Sequence, residues 1–340
     1  MTSDLLGSRL PLVAAPMAGG PSTLDLIRAA TSAGAFGFLA GGNTTPQTLA
    51  SDVDAARGLG ADFGVNLFVL PHREIDEEAF AAYAAELAEE AAVHGLTLDP
   101  APRSDDDFYA EKLALLLADP VPVVSFTFGL PDAADVVALQ AAGTTVLASV
   151  TTPAEAQDAA ALGIDGLVVQ GPRAGGHSAT HDPARTPEPV ETAELVRQVL
   201  EAADLPVIGA GGVDGPEAVA RILGAGAQAV AVGTLLLRTD EAGTSATHRA
   251  ALADPAARET VLTRVFTGRP ARSVRNGLID RHQATAPTGY PQIHHLTRPL
   301  RRAAGAAGDA DRLHLWAGTG YRSAPEGPAA AVIEHLAEGL

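Results

Sequence analysis

Cysteine is absent from this chain of 340 residues, and lysine occurs once, as Lys112. The absence of cysteine excludes disulfides, thiolate metal sites and a cysteine nucleophile. It is also typical of the reducing cytoplasm, where we expect the protein to work. The scarcity of lysine leaves none on a core strand for a Schiff base with a substrate, since Lys112 lies in a charged helical stretch.

Positive charge and long apolar runs are scarce as well. No uncharged apolar stretch reaches the length of a membrane span, and the first residues carry no basic leader, so we expect neither an anchor nor a secretion signal. The formal net charge of -18 disfavours nucleic acid and anionic membranes as partners. An anionic substrate would need a local positive patch in this chain.

What the chain does contain is a repeated alternation of apolar runs and alanine-rich helical segments. The runs are near-continuous in their apolar character, which is typical of parallel strands covered on both faces. They span residues 10–17, 36–42, 63–69, 122–129, 145–150, 166–171, 206–212 and 229–237. This repeat predicts an α/β fold, a closed (β/α)8 TIM barrel, and the repeat count favours it over an open doubly wound sheet.

The helical segments between the runs have recognisable ends. The segment 22–34 has Ser22 as its predicted N-terminal cap and Gly34 as its stop. The segment 215–226 places Pro216 in its first turn, where proline is tolerated.

Two segments do not follow the repeat, and they define the predicted domains. Residues 71–119 carry two acidic amphipathic patterns after the third strand, and residues 263–340 form a long tail. We expect 1–70 with 120–262 to form the ligand-binding barrel. The two extra segments would form a small helical domain and a C-terminal lid region over the site.

Glycines at two neighbouring strand ends predict a phosphate site. Gly211 and Gly212 end the seventh strand just before a helix, and Gly233 and Thr234 follow the eighth. Glycine lets backbone N–H groups turn toward an anion, and a helix N-terminus adds a positive end. Tight turns that bind nothing are the alternative, which the tandem arrangement disfavours.

The other strand ends suit a flat heterocycle. Ala15, Pro16 and Met17 after the first strand offer an apolar platform, while Asn66 and Gln170 offer amides that donate and accept hydrogen bonds. The glycine pattern does not lie in the first βα unit, so a mononucleotide fits better than a dinucleotide. A flavin ring can use both an apolar platform and amides that donate and accept hydrogen bonds, so we expect a flavin mononucleotide.

The stretch "QGPRAGGHS" presents His177 directly behind Gly175 and Gly176. The glycines let the loop pass close to a ring, so we interpret His177 as facing the substrate. A loop cap is the second interpretation. A metal pair with His181 ranks third, because that spacing needs a helix and Pro183 and the glycines disfavour one.

Taken in order, "PLVAAPMAGG", "GVNLFV", "QGPRAGGHS", "LPVIGAGGV", "FTGRPAR" and "LWAG" resemble the nitronate monooxygenases, formerly called 2-nitropropane dioxygenases. The resemblance covers nearly the whole chain. It implies an FMN-bound barrel with a small extra helical domain. It also implies oxidation of alkyl nitronates by O₂ to a carbonyl compound and nitrite.

The resemblance also implies residue roles. His177 matches the active-site histidine of the family. The flavin contacts fall on Met17, Asn66, Gln170, Gly175, Gly176, Gly211, Gly212, Gly233 and Thr234, to which our own analysis adds Ala15 and Pro16. Thr127 stands where some members carry a second histidine, and Thr319 where we expect a longer polar side chain. We assign Thr127, Tyr290 and Thr319 to the substrate pocket.

Other functions remain as alternatives. The nearest is a flavin-dependent enoyl-thioester reductase, which would use NAD(P)H, and the next is a flavin-binding protein without turnover. A related phosphate-binding barrel, inosine-monophosphate dehydrogenase, needs a cysteine that is missing here. We interpret residues 298–305 as a helix face rather than a nucleic-acid patch. The predicted partners are a nitronate or nitroalkane and O₂, with a homodimer left open and no metal.

Overall fold

The computed structural model describes residues 5–70, 74–257 and 259–340. The described strands are β1 (Leu12–Ala14), β2 (Phe36–Ala40), β3 (Phe63–Phe68), β4 (Val123–Thr127), β5 (Thr145–Val150), β6 (Gly166–Gln170), β7 (Gly176–His177), β8 (Val207–Ala210), β9 (Ala229–Val232), β10 (Thr260–Thr263) and β11 (Ala271–Val274). The described helices are α1 (Leu24–Ala33), α2 (Pro46–Arg57), α3 (Glu77–Glu86), α4 (Ala88–Ala92), α5 (Tyr109–Ala118), α6 (Ala133–Ala141), α7 (Pro153–Ala161), α8 (Thr192–Ala202), α9 (Pro216–Gly224), α10 (Ala246–Ala253), α11 (Gly277–His282), α12 (Gln292–Ala307) and α13 (Ala329–Leu336).

Eight parallel strands close into a barrel in the order β1, β2, β3, β4, β5, β6, β8, β9. The last strand returns to the first, with Leu12 opposite Val230 and Ala14 opposite Val232. The predicted TIM barrel is therefore confirmed, and the open-sheet alternative is wrong. The strands read as continuous apolar runs because one face fills the barrel interior and the other packs against helices.

The helix ends follow local capping chemistry. The N-terminal cap of α1 is Thr23, whose side chain accepts a hydrogen bond from the N–H of Leu26. The predicted cap Ser22 was therefore wrong by one residue. Its hydroxyl instead accepts a hydrogen bond of 2.8 Å from the N–H of Met17, which fixes the loop after β1. The predicted stop at Gly34 is confirmed, with a left-handed φ of 95°.

Two helices that the sequence-based division places outside the barrel pack with its outer helices. Leu113 and Leu116 of α5 belong to the main apolar core, as do Val332 and Ile333 of α13. The helix α5 therefore serves as the crossover between β3 and β4, and α13 covers α1. The predicted division into a barrel and an additional helical region stays a prediction.

The remaining additions share a second apolar cluster. Phe80 and Tyr83 of α3 pack there with Phe266, Ile293 and Leu300 from the C-terminal part of the chain. The small sheet of β10, β11 and β7 lies beside it. Each helix of the described residues is too short or too polar to cross a lipid bilayer.

An ionic network joins these additions. The buried carboxylate of Glu90 contacts Arg281 at 2.5 Å, His282 at 3.0 Å and Arg312 at 2.8 Å. Burial alone would raise the pKa of Glu90. Hydrogen bonds from Arg281 and His282, together with the nearby arginine charges, lower this pKa to about 2.

We predict that Glu90→Gln lowers the free energy of unfolding by about 3 kcal/mol at pH 7, because it removes the buried carboxylate that Arg281, His282 and Arg312 share. The folded pKa lies below the usual value of 4.5, so the contribution is complete above pH 4.5 and is lost as pH falls toward 2. Urea unfolding at pH 7 and pH 4 measures both effects. The exposed neighbour Glu89→Gln is the control, and equal destabilisation by the two variants would contradict the prediction.

Candidate active site

The carboxyl ends of the barrel strands surround a cavity of about 740 Å³. The structure brings almost every predicted site residue to its wall. Those that line it are Ala15, Pro16, Met17, Asn66, Thr127, Gln170, Gly175, Gly176, His177, Gly211, Gly212, Gly233 and Thr234. A volume of this size is in the range of small-molecule and cofactor sites.

Glycine is required where two segments of backbone meet at the cavity. Gly211 has a φ of 102°, and a Cβ there would lie 2.8 Å from the backbone nitrogen of Ala174. A Cβ on Gly175 would lie 2.5 Å from the backbone nitrogen of Gly318. At Gly233, an added Cβ would point toward Met17 and narrow the cavity. These positions keep the chain close to the cavity without filling it.

The two predicted amides hold the cavity wall together. Asn66 donates from its side chain to Thr127 Oγ1 and Ser125 Oγ, both at 2.9 Å. Gln170 donates to the carbonyl oxygen of His177 at 3.2 Å and accepts from the N–H of Ala179 at 2.8 Å. The end of β6 therefore fixes the segment that carries His177.

His177 lies in the two-residue strand β7, paired with β11. Its Nε2 lies 2.9 Å from the hydroxyl of Thr267. Its ring is surrounded by Phe128, Tyr290 and Trp316, with centroid distances of 5.7, 5.5 and 5.3 Å. The imidazole is thus held in one place by an aromatic enclosure.

This enclosure sets the protonation state of His177. Burial is the main cause that lowers the pKa of His177 to about 3, and the positive charges of Arg269 and Arg301 lower it further. The imidazole is neutral near pH 7. The neutral ring can donate one hydrogen bond and accept another, but it does not supply a positive charge.

Two predicted pocket residues lie elsewhere. Thr319 is exposed and outside the cavity, with its N–H bonded to the carbonyl oxygen of Arg173, so its assignment to the pocket is corrected. The chain turns its side chain to solvent, while the flanking Gly318 and Gly320 line the cavity. Tyr290 is not among the lining residues, and its ring lies 5.5 Å from that of His177, which does line the cavity.

His181 does not share the site with His177. Its Nε2 lies 3.0 Å from the carbonyl oxygen of Ser149, and its ring is absent from the cavity wall. In the described ranges, no group of three histidine, aspartate or glutamate side chains is arranged to hold a metal ion.

The sequence of this chain matches those of known proteins over nearly its whole length. The family model described as "Nitronate monooxygenase" matches residues 3–339. The chain belongs to the nitronate monooxygenase family. A curated nitronate monooxygenase from Pseudomonas aeruginosa is 35% identical, over 99% of this chain and 97% of that protein.

Solved structures agree with the fold of this family member. A nitroalkane oxidase from Streptomyces ansochromogenes has a TM-score of 0.93 at 47% identity, covering 98% of this chain and 96% of that one. FabK from Thermotoga maritima has a TM-score of 0.75 at 23% identity, covering 98% and 94%. The second likeness, at that identity, shows the shared fold alone.

Sequence reasoning missed one wall of the cavity in this family member. Beyond the strand ends, the lining includes His248, His294, Arg298, Arg301, Arg302, His314 and Trp316. These residues come from α10, α12 and the segment before α13. The only available signal was the arginine spacing in residues 298–305, which places three basic side chains near one helix face.

We predict that the His177 ring stays neutral between pH 5 and pH 9. Its folded pKa is about 3, below the usual 6.5, so the stability gained by burying the neutral ring is complete above pH 6.5 and is lost as pH falls toward 3. Nitrogen NMR of the labelled imidazole measures this, with His177→Asn to assign the signal. Free histidine in the same tube is the control. A titration of the His177 signal with the same midpoint as free histidine would contradict the prediction.

Proposed function

We propose that this protein oxidises alkyl nitronates with O₂ to a carbonyl compound and nitrite, using FMN. The observation that carries the proposal is His177, which Thr267 holds on the wall of a cavity lined by the carboxyl ends of the barrel strands and the loops after them. Membership of the nitronate monooxygenase family supports it. The names of the Pseudomonas and Streptomyces relatives support the same chemistry.

The residues present fit FMN. Gly212 has a φ of 74°, and in the described chain neither its N–H nor that of Thr234 is bonded to a protein acceptor. The helix α9 begins directly after this turn, and its N-terminal end favours an anion. Gly211, Gly212, Gly233 and Thr234 would hold the phosphate. Met17, Asn66 and Gln170 would lie along the ring.

FMN, when bound, would supply the redox chemistry, because it can accept electrons from the substrate and donate electrons to O₂. The protein itself orients the substrate and excludes water. A nitronate is already a carbanion equivalent, so no strong base is needed. If a neutral nitroalkane is used, the unprotonated ring of His177 is the group placed to accept its carbon-bound proton, and its lowered pKa makes it a weak base. The rings of Phe128, Tyr290 and Trp316 pack around the imidazole and hold its ring in place.

We predict that the purified protein is yellow and releases FMN on denaturation. An absorption spectrum, followed by chromatography of the released chromophore, measures this. A colourless protein that takes up no flavin would contradict the cofactor. Rapid anaerobic bleaching of the flavin by NAD(P)H would instead favour the enoyl-thioester reductase.

We also predict that His177→Asn lowers the rate of nitrite formation from ethyl nitronate or nitroethane by at least about 100-fold, because the cavity wall loses the imidazole that Thr267 and three aromatic rings hold in place. Nitrite release under air is the measurement, and the flavin absorption shows that the variant is still loaded. The matched control is His181→Asn, which replaces a histidine four residues after His177 that does not line the cavity. Unchanged turnover of both substrates by His177→Asn would remove the assigned role. Absence of nitrite release by a flavin-loaded wild-type protein would favour flavin binding without turnover.

A further inference from the structure

The missed wall of the cavity carries positive charge in a strongly acidic protein. The helix α12 places Arg298, Arg301 and Arg302 on the cavity lining. Arg298 and Arg302 are exposed, so water screens their charges. Arg301 is only 6% exposed, which makes it the one member of this group whose charge is buried.

Arg301 has no acidic partner. Its Nε donates to Thr297 Oγ1 at 3.0 Å and its Nη2 to the carbonyl oxygen of His294 at 3.0 Å, and both acceptors are neutral. Among the residues that the structure describes, no carboxylate lies within 4.0 Å of the guanidinium and no acceptor is bonded to Nη1. Burial lowers the pKa of Arg301 to about 10, so it is still charged at pH 7. A buried charge without a counter-charge is unfavourable unless a ligand supplies one.

The histidines of the same cavity do not share this positive charge. Burial lowers the pKa of His248 to about 4, and it lowers the pKa values of His294 and His314 well below the usual range. His177 is neutral for the same reason. Arg301 is therefore the buried cation of the cavity.

Arg301 and His177 face one space. The guanidinium Nη2 lies 3.3 Å from His294 Nδ1, the ring of His294 lies 5.7 Å from Tyr290, and Tyr290 lies 5.5 Å from His177. The charge of Arg301 is near enough to lower the pKa of His177. Both side chains line the same cavity, so an anion bound at Arg301 would share that cavity with a neutral imidazole.

A second observation shows that the wall is built for a polar occupant. Thr244 Oγ1, His248 Nε2 and His314 Nδ1 are buried and have no hydrogen-bond partner among the described residues. All three residues line the same cavity. Buried polar atoms are nearly always paired, so a polar ligand or ordered water belongs beside them.

We propose that Arg301 is the anion-binding residue of this cavity and that it makes the protein select nitronate anions over neutral nitroalkanes. The identity of the anion rests on the proposed function, whereas the anion site does not. Nε and Nη2 of Arg301 are held by Thr297 and His294, which leaves Nη1 as the donor for an oxygen of a planar –NO₂ group carrying negative charge. Nitrite and nitrate have the same shape and charge.

Nitrate is a suitable probe because its binding needs no turnover. The protein is used as purified, with its cofactor, at constant ionic strength. Binding is measured by the fluorescence of Trp316, the single tryptophan of the chain, which lines the cavity, and by the rise of Tm with nitrate concentration. We expect Arg301→Gln to weaken nitrate binding about 30-fold and Arg301→Lys to weaken it less.

The matched variant is Arg298→Gln, which removes an exposed arginine from the same helix and the same cavity. We expect it to weaken nitrate binding by less than about threefold, because a solvated charge contributes little. Equal effects of Arg298→Gln and Arg301→Gln on nitrate binding would overturn the proposal, because they would show that the summed positive charge of α12 attracts the anion. Nitrate binding that survives in Arg301→Gln would also overturn it.

A purely structural role for Arg301 makes a different set of predictions. If Arg301 only braces α12 through His294 and Thr297, Arg301→Gln lowers Tm and leaves nitrate binding unchanged, which overturns the proposal. If it binds the anion, removing an unpaired buried charge leaves the nitrate-free Tm unchanged or higher. Should Arg301→Gln not fold, Arg301→Lys decides by the same nitrate titration, and wild-type affinity there overturns the proposal.

Kinetics then connect the site to the substrate. We expect Arg301→Gln to raise KM for ethyl nitronate about 30-fold, with kcat/KM for neutral nitroethane changed by less than about threefold. An equal loss for both substrates would overturn the selection of anions. A wild-type protein that binds nitrate through Arg301 but releases no nitrite would contradict the proposed function and leave the anion site established.

Discussion

The pairing of β9 with β1 is the contact on which the rest of the molecule depends, because it turns a row of strands into a closed ring. Closure points the carboxyl ends of all eight strands at one space. The platform after β1, the amides on β3 and β6 and the glycines after β8 and β9 then line one cavity. In an open sheet these residues would be spread along an edge.

The parts of this arrangement that were predictable from sequence are those fixed by local or repeated patterns. The eight strands follow from apolar runs of similar length, and the glycines at their ends mark places where backbone segments meet, as at Gly211 and Gly175. Capping was predictable to within one residue: Thr23 rather than Ser22 caps α1, since both side chains suit the position. These features depend on residues that are close in sequence.

The parts that could not be predicted depend on long-range packing. The sequences of α5 and α13 do not tell which surface their apolar sides cover, and only their contacts show that they pack on the barrel. Likewise, a cluster of arginines in α12 is typical of a solvated helix face. It becomes a cavity wall only because the apolar side of the helix packs on α3, which leaves Arg301 turned inward.

The side-chain amide of Gln170 joins the barrel to the segment that carries the imidazole. Its two ends hold the carbonyl of His177 and the N–H of Ala179, so one rigid planar group spans both sides of the histidine. The tip of β6 thereby anchors the backbone on both sides of the imidazole. A bound molecule that contacts Gln170 on the cavity wall touches the same amide that anchors the histidine, so the barrel strand and the small sheet meet at one side chain.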